Sequence, residues 1–303
     1  MSEEKKMKLG GVIPAVITPL QENGKIDERS LEKQVAYLSG AGVHGFLVNG
    51  TTGEGPFLSE QERRRTFEVV RDIRKADQFL CAGCLASSTE QTIDEILAFK
   101  SLSPDFVVVT SPYYFGATQR EIIWHFKEIA HRSPFPVIAY EISPCTHNKI
   151  GLEAMMEIAS MDNVVGLKDS SGDFITFSRV LFQTGKQDFV WIMGNDYLDG
   201  DALTIGAKGI VTGLGNVWIV PYLEMFKAAE ERDFATVHKI QGKINKLYEV
   251  IETVGGRGNP AVKGGVSLLG RCGKWVKAPI IPLDGEELSR VRQILVELDL
   301  ISG

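Results

Sequence analysis

Short β-branched runs alternate along this chain with longer stretches in which apolar residues recur every three or four positions. The runs are GVIPAVIT (11–18), GFLVNG (45–50), FLCAGC (79–84), DFVVVTS (105–111), PVIAYEI (136–142), NVVGLK (163–168), FVWIMG (189–194) and KGIVTG (208–213), and they predict eight strands. Between them, SLEKQVAYLSGAG, SEQERRRTFEVVRDIRKA and TQREIIWHFKEIAHR gather apolar side chains on one helical face and polar ones on the other, which predicts crossover helices. Strands apolar on both faces suit a parallel sheet covered by helices. Successive βα units at intervals of roughly 20–35 residues predict an α/β chain closed as a (β/α)8 TIM barrel, with a doubly wound open sheet as the alternative.

Beyond the eighth run, PYLEMFKAAEERDFATVHKIQGKINKLYEVIE, AVKGGVSLLGR and GEELSRVRQILVELDL are all helical in pattern. The expected organisation is a barrel over 1–225 and a C-terminal helical extension over 226–303 packed on it, one structural domain overall. No low-complexity segment or Pro/Gly-rich linker suggests a second independent unit.

Composition narrows the functional classes. At 303 residues and 44% hydrophobic content the chain can bury a full core without staples. A formal net charge of −6 argues against a general nucleic-acid binder, because counterion release needs a basic face. Four cysteines are few for the length, and the charged start MSEEKKMKLGG lacks the apolar stretch of a secretory signal, so a cytoplasmic location is expected. No run approaches the ~20 apolar residues that span a bilayer, so no membrane partner is expected.

In such a barrel the chemistry sits at the carboxyl ends of the strands. Strand two ends in Gly50-Thr51-Thr52-Gly53-Glu54, strand four runs into Ser111-Pro112-Tyr113-Tyr114, strand five reaches Tyr140-Glu141, strand six ends in Lys168-Asp169, and strand eight leads into Thr212-Gly213. Lys168 is the most informative of these, since it closes the apolar strand Val164-Val165-Gly166-Leu167 at the depth where side chains leave the core. Period-two alternation puts Lys168 on the side of Gly166 and Val164, and the absent side chain of Gly166 is expected to leave room for the lysine stem. Burial disfavours a charged amine, and a neutral amine attacks carbonyls. The alternative for Lys168 is a structural ion pair with Asp169 or Glu141.

The other residues carry paired readings too. Tyr140 could shuttle a proton to the carbinolamine and the substrate oxygen, or be a packed aromatic with a bonded hydroxyl. The turn Thr51-Thr52-Gly53 offers hydroxyls and N–H groups that suit a carboxylate, or a threonine helix cap. Tyr113 and Tyr114 could extend a relay, pack at an interface, or complete a neighbouring subunit's site. No metal site is expected: the five histidines form no H-x-H or H-x-x-x-H pair, and Cys81 and Cys84, with no second Cys/His cluster, read as strand residues. No Walker loop or G-x-G-x-x-G follows a strand. A glycosidase pair drawn from Glu54, Glu141, Asp169 and Asp196 competes with simpler roles for each as a cap or a partner of Lys168.

These residues resemble the dihydrodipicolinate synthase and N-acetylneuraminate lyase superfamily of class I, pyruvate-dependent aldolases, from GVIPAVITPL near residue 11 to GNPAVKGGVSLLG near residue 270. The resemblance implies that Lys168 is the Schiff-base lysine and Tyr140 the general acid/base, with Thr51 in the proton relay. It implies that Thr52 and Gly53 hold the 2-oxo acid's carboxylate and that the backbone carbonyl of Val211 lies near bound pyruvate. Tyr114 looks like the relay tyrosine donated across a subunit interface, and a homo-oligomer built as a dimer of dimers is implied; no cofactor is. The departures concern the second substrate. Cys145 falls where the synthases carry an arginine for the carboxylate of aspartate semialdehyde, and a thiol cannot form the bidentate pair a guanidinium makes. Ser87 and Gln91 replace the Asn and Glu usual in lysine-inhibited synthases, and Gly55-Pro56 looks more like the 2-keto-3-deoxy sugar acid aldolases. The expectation is an aldolase joining pyruvate to the aldehyde of a 2-keto-3-deoxy sugar acid or related hydroxy-oxo acid. The synthase, a keto-deoxy sugar acid dehydratase and a non-catalytic 2-oxo-acid-binding barrel are the alternatives.

Overall fold

All eight runs become strands: β1 (Gly11–Pro14), β2 (Gly45–Val48), β3 (Phe79–Cys84), β4 (Phe106–Thr110), β5 (Val137–Glu141), β6 (Val164–Asp169), β7 (Val190–Met193) and β8 (Gly209–Thr212). The computed structural model describes residues 8–185 and 188–302. Every pairing is parallel, in the order β1-β8-β7-β6-β5-β4-β3-β2. The ring closes where Ala15 bridges Leu47, with the Val16 N–H donating to the Leu47 carbonyl at 2.9 Å. This is the (β/α)8 barrel, and the open-sheet alternative falls away.

The crossovers carry α1 (Glu28–Ala41), α2 (Glu60–Ile73), α3 (Thr89–Ala98), α4 (Gln119–Arg132), the single turn α5 (Ser143–Thr146), α6 (Leu152–Ser160), α7 (Phe174–Gln183) and α8 (Asp199–Ile205). Two of the starts are written in the sequence: Ser59 with Glu62 and Thr118 with Glu121 form reciprocal capping boxes at α2 and α4. After β8 come α9 (Val220–Glu230), α10 (Phe234–Glu252), α11 (Gly258–Leu268) and α12 (Gly285–Glu297). The first C-terminal helical stretch divides in two because Arg232 takes a left-handed φ of 60° and Asp233 caps α10 by accepting the Thr236 N–H. Among the described residues no helix is long and apolar enough to cross a membrane.

Two apolar layers follow from strand alternation. Val12, Phe46, Val107 and Val109 face the helices and meet side chains such as Ile122 and Phe126, whereas Ile13, Leu47, Phe106, Val108, Ile138 and Ile192 fill the lumen. Cys81 belongs to the lumen and Cys84 to the outer layer, so both are strand residues and both are free thiols. Along the upper lumen the register runs Thr110, Tyr140, Lys168, Ile192 on neighbouring strands. One expectation fails here. Val137 pairs with Val164 but Ile138 with Gly166, so Val165 is an extra residue in β6. The bulge breaks period two, and Val164 packs in the outer layer rather than on the side of Lys168.

Candidate active site

Lys168 and Tyr140 are partners in register on adjacent parallel strands, so their side chains leave the sheet on the same side. Both are buried, at 5% and 2% exposure. The lysine Nζ lies 3.8 Å from the centroid of the Tyr140 ring. An amine so placed gains from the π face whether or not it is charged, and the contact fixes its distance from the phenol. Among the described residues it meets no carboxylate at ion-pair distance. The expected alternative partners are engaged elsewhere. Glu141 accepts the N–H groups of Ser143 at 2.9 Å and Ile150 at 2.6 Å, and Asp169 accepts that of Ser171 at 2.8 Å.

Room for the lysine stem comes from a glycine the sequence reading did not single out. A Cβ on Gly194, just past β7, would stand 2.6 Å from Lys168 Cε and 2.3 Å from Ser170 Oγ. A Cβ on Gly166 would instead meet the Val190 carbonyl at 2.7 Å and Leu9 at 3.1 Å, at the lower end of the lumen. The expectation for Gly166 is therefore corrected: it admits the floor of the barrel, and Gly194 admits the lysine. The available signal was Gly194 closing a lumen-facing strand beside β6.

The turn Thr51-Thr52-Gly53 is braced from three sides. The Gly53 carbonyl accepts the Thr18 hydroxyl at 2.7 Å, the Thr51 carbonyl accepts the Asn259 amide at 3.0 Å, and Thr52 Oγ1 packs against Gly213 at the end of β8. A Cβ at Gly53 would press to 2.8 Å from the Val16 carbonyl, so the turn tolerates no side chain there. Glu54 follows with a left-handed φ of 59°. Its carboxylate is sealed, with Oε1 2.5 Å from the Lys263 ammonium and Oε2 accepting the Lys277 N–H at 2.6 Å. Lys263, also fully buried on α11, donates to the Trp275 carbonyl at 2.9 Å; burial pushes its pKa down and the Glu54 charge opposes that shift. Glu54, expected from the sequence as a cap or a partner for Lys168, instead pairs with Lys263 and ties the C-terminal helices to the turn.

Val211 lies on β8 with its side chain in the lumen at 5% exposure. Asp196, above β7, accepts hydroxyl protons from Thr212 and Tyr222, both at 2.6 Å, and burial raises its pKa. Cys145, in α5, is exposed. Tyr113 donates to the Leu85 carbonyl at 3.2 Å. Tyr114 is 86% exposed, with a left-handed φ of 81°, and packs edge-on against exposed Phe115. A separate cleft of about 380 Å³ opens among Pro56, Arg63, Ser87, Gln91, Glu95 and Tyr113, with the Ser87 hydroxyl donating to Gln91 at 2.9 Å. Among the described residues no three His, Cys, Asp or Glu side chains gather closely enough to hold a metal ion.

Comparison with known proteins gives a consistent picture. The model of the dihydrodipicolinate synthetase family matches residues 8–298. The 4-hydroxy-tetrahydrodipicolinate synthase of Methanospirillum hungatei is 32% identical over 292 residues, covering 95% of this chain and 99% of that protein. The dihydrodipicolinate synthase of Aquifex aeolicus superposes with a TM-score of 0.90 at 28% identity, covering 96% and 99% of the two chains. The chloride-inhibited dihydrodipicolinate synthase of Acinetobacter baumannii, solved in complex with pyruvate, gives 0.92 at 25% identity, covering 97% and 100%.

Proposed function

The chain belongs to the dihydrodipicolinate synthetase family of pyruvate-dependent Schiff-base enzymes, and from that we propose that Lys168 is its imine-forming lysine and that its second substrate is an uncharged, hydroxylated aldehyde. The observation that carries the reading is the buried Lys168 amine 3.8 Å from the centroid of the Tyr140 ring, with no carboxylate at ion-pair distance among the described residues.

In this reading the amine adds to C2 of pyruvate, and the former carbonyl oxygen takes up two protons and leaves as water. Tyr140 carries protons in that step, with Thr51 behind it. Thr52 and Gly53 hold the carboxylate in the braced turn, while the Val211 carbonyl borders the bound acid. Loss of a C3 proton gives the enamine, whose C3 bonds to the aldehyde carbon as the aldehyde oxygen is protonated. Water then hydrolyses the imine and frees Lys168, and the reverse sequence cleaves the same bond. Tyr114 is exposed in the single chain and packs only against exposed Phe115 among the described aromatic contacts, which supports its service to a second copy of the chain in a homo-oligomer.

Cys145 supports the uncharged aldehyde, because a thiol offers no counter-charge to a second carboxylate. The product class is then a 2-keto-3-deoxy sugar acid or related hydroxy-oxo acid. A second reading, condensation with aspartate semialdehyde, is favoured by the names of the curated relatives. The test is borohydride reduction with pyruvate followed by peptide mapping, alongside pyruvate release from keto-deoxy sugar acids and condensation with aspartate semialdehyde. A covalent adduct on the Lys168 peptide, absent from Lys168→Ala, is expected. An unmodified Lys168 in folded protein would refute the mechanism, and robust condensation with the semialdehyde would decide for the second reading.

A further inference from the structure

Immediately after Tyr140 and Lys168, and on the opposite face of the sheet, the next pair in register is Glu141 and Asp169. Two carboxyl groups therefore leave neighbouring strand ends on the same side, and both are sealed, at 0% and 2% exposure. Both Glu141 oxygens accept backbone N–H groups, from Ser143 and Ile150. Asp169 Oδ1 accepts the Ser171 N–H, but Oδ2 is buried with no hydrogen-bond partner among the described residues. The other charged groups at this spot are Asp173, the cap of α7, and Lys149, which lies 2.5 Å from Asp173 and is spent on it. A sealed anionic oxygen with no donor is costly. A protonated carboxyl has an O–H to give, and the acceptor standing beside it in register is Glu141.

We infer that Glu141 and Asp169 share one proton, carried on Asp169 Oδ2 and donated to Glu141, and that this bond clamps together the strand ends that aim Tyr140 and Lys168. Asp169 is then a positioning residue whose clamp opens as pH rises. Burial, helped by the charges of Glu141 and Asp173 and opposed by the Ser171 hydrogen bonds, pushes Asp169 up to about 6, and burial also raises Glu141. Because the folded state binds this proton more tightly than the unfolded chain, its stabilising contribution is complete below about pH 4 and is lost as pH rises through about 6.

Asp169→Asn tests this directly, since the amide keeps an acceptor for Ser171 and gives Glu141 a permanent N–H donor. The wild-type unfolding midpoint should carry a fall between about pH 4 and about pH 7 that Asp169→Asn lacks, so that the variant exceeds wild type at the upper end. The ratio of wild-type to variant rates of pyruvate trapping by borohydride should fall with a midpoint near pH 6, where the folded protein loses the proton; the ratio cancels the pH dependence of the amine chemistry common to both. Glu141→Gln supplies a donor from the other side and should move the wild-type transition down by about one pH unit or more. The thermal readout does not depend on the proposed substrate, so its outcome is separable from that of the trapping experiment. A transition near pH 6 that persists in Asp169→Asn overturns the inference; should that variant not fold, an unmoved transition in Glu141→Gln does so equally.

Discussion

Replacing Gly194 with alanine puts one methyl group where the Lys168 stem now lies. The added carbon would stand 2.6 Å from Lys168 Cε, 3.2 Å from its Cγ and 2.3 Å from Ser170 Oγ. Carbon atoms rest comfortably at about 3.5 Å, so something must withdraw by roughly 1 Å. The backbone is poorly placed to do so, because the Gly194 N–H donates to the Asp169 carbonyl at 2.8 Å and its own carbonyl accepts the Ser170 hydroxyl at 2.9 Å. The lysine is the mobile party, and moving it pulls the amine off the Tyr140 ring. A displacement of about 1 Å at a reacting group costs on the order of 100-fold in rate, while overpacking costs about 1–3 kcal/mol of stability. Rapid-quench borohydride trapping with saturating pyruvate reads the first quantity and urea unfolding the second. The double variant Gly194→Ala, Lys168→Ala should recover part of the lost stability, because it removes one of the two clashing partners. If Gly194→Ala traps pyruvate at the parental rate with an unchanged unfolding midpoint, the lysine stem does not occupy the space assigned to it.

Two further outcomes are expected. Lys263→Met should lose about 3–5 kcal/mol of stability by stranding the sealed Glu54 carboxylate. It should also raise the KM for pyruvate by loosening the threonine turn, and the double variant Glu54→Met, Lys263→Met should recover most of the stability in urea titrations; a single variant as stable as the parent would disprove the brace. L-Lysine is expected to leave steady-state turnover unchanged, because Ser87 and Gln91 in the cleft beside Tyr113 bond to one another and stand where the resemblance drawn from the sequence would place an asparagine and a glutamate carboxylate for a lysine effector. Saturable inhibition by lysine would contradict that reading.

Strand number, order of elements and barrel class were legible because each strand is a compact apolar run and the helices between them keep an apolar face. Lys168 and Tyr140 were legible for a related reason: polar groups ending buried strands in a barrel have few places to go. What the pattern hid is non-local. The bulge at Val165 depends on the register with β5, which no periodicity within β6 encodes. Gly194 matters through a side chain 26 positions earlier, and Glu54 chooses Lys263 over Lys168 across more than two hundred residues. The exposure of Tyr114 was likewise undecidable, since its loop has no apolar rhythm to say which way a ring turns.

The Glu54 brace also bears on when the molecule becomes competent during its synthesis. A nascent chain that has released all eight strands from the ribosome already holds the lysine and tyrosine of the barrel mouth. The groups that pin its left-handed glutamate, Lys263 and the Lys277 N–H, have yet to emerge. On the proposed mechanism, the turn that would hold the acid is therefore braced only when almost the last residues are translated, and a product truncated just after the barrel would carry Lys168 without that brace.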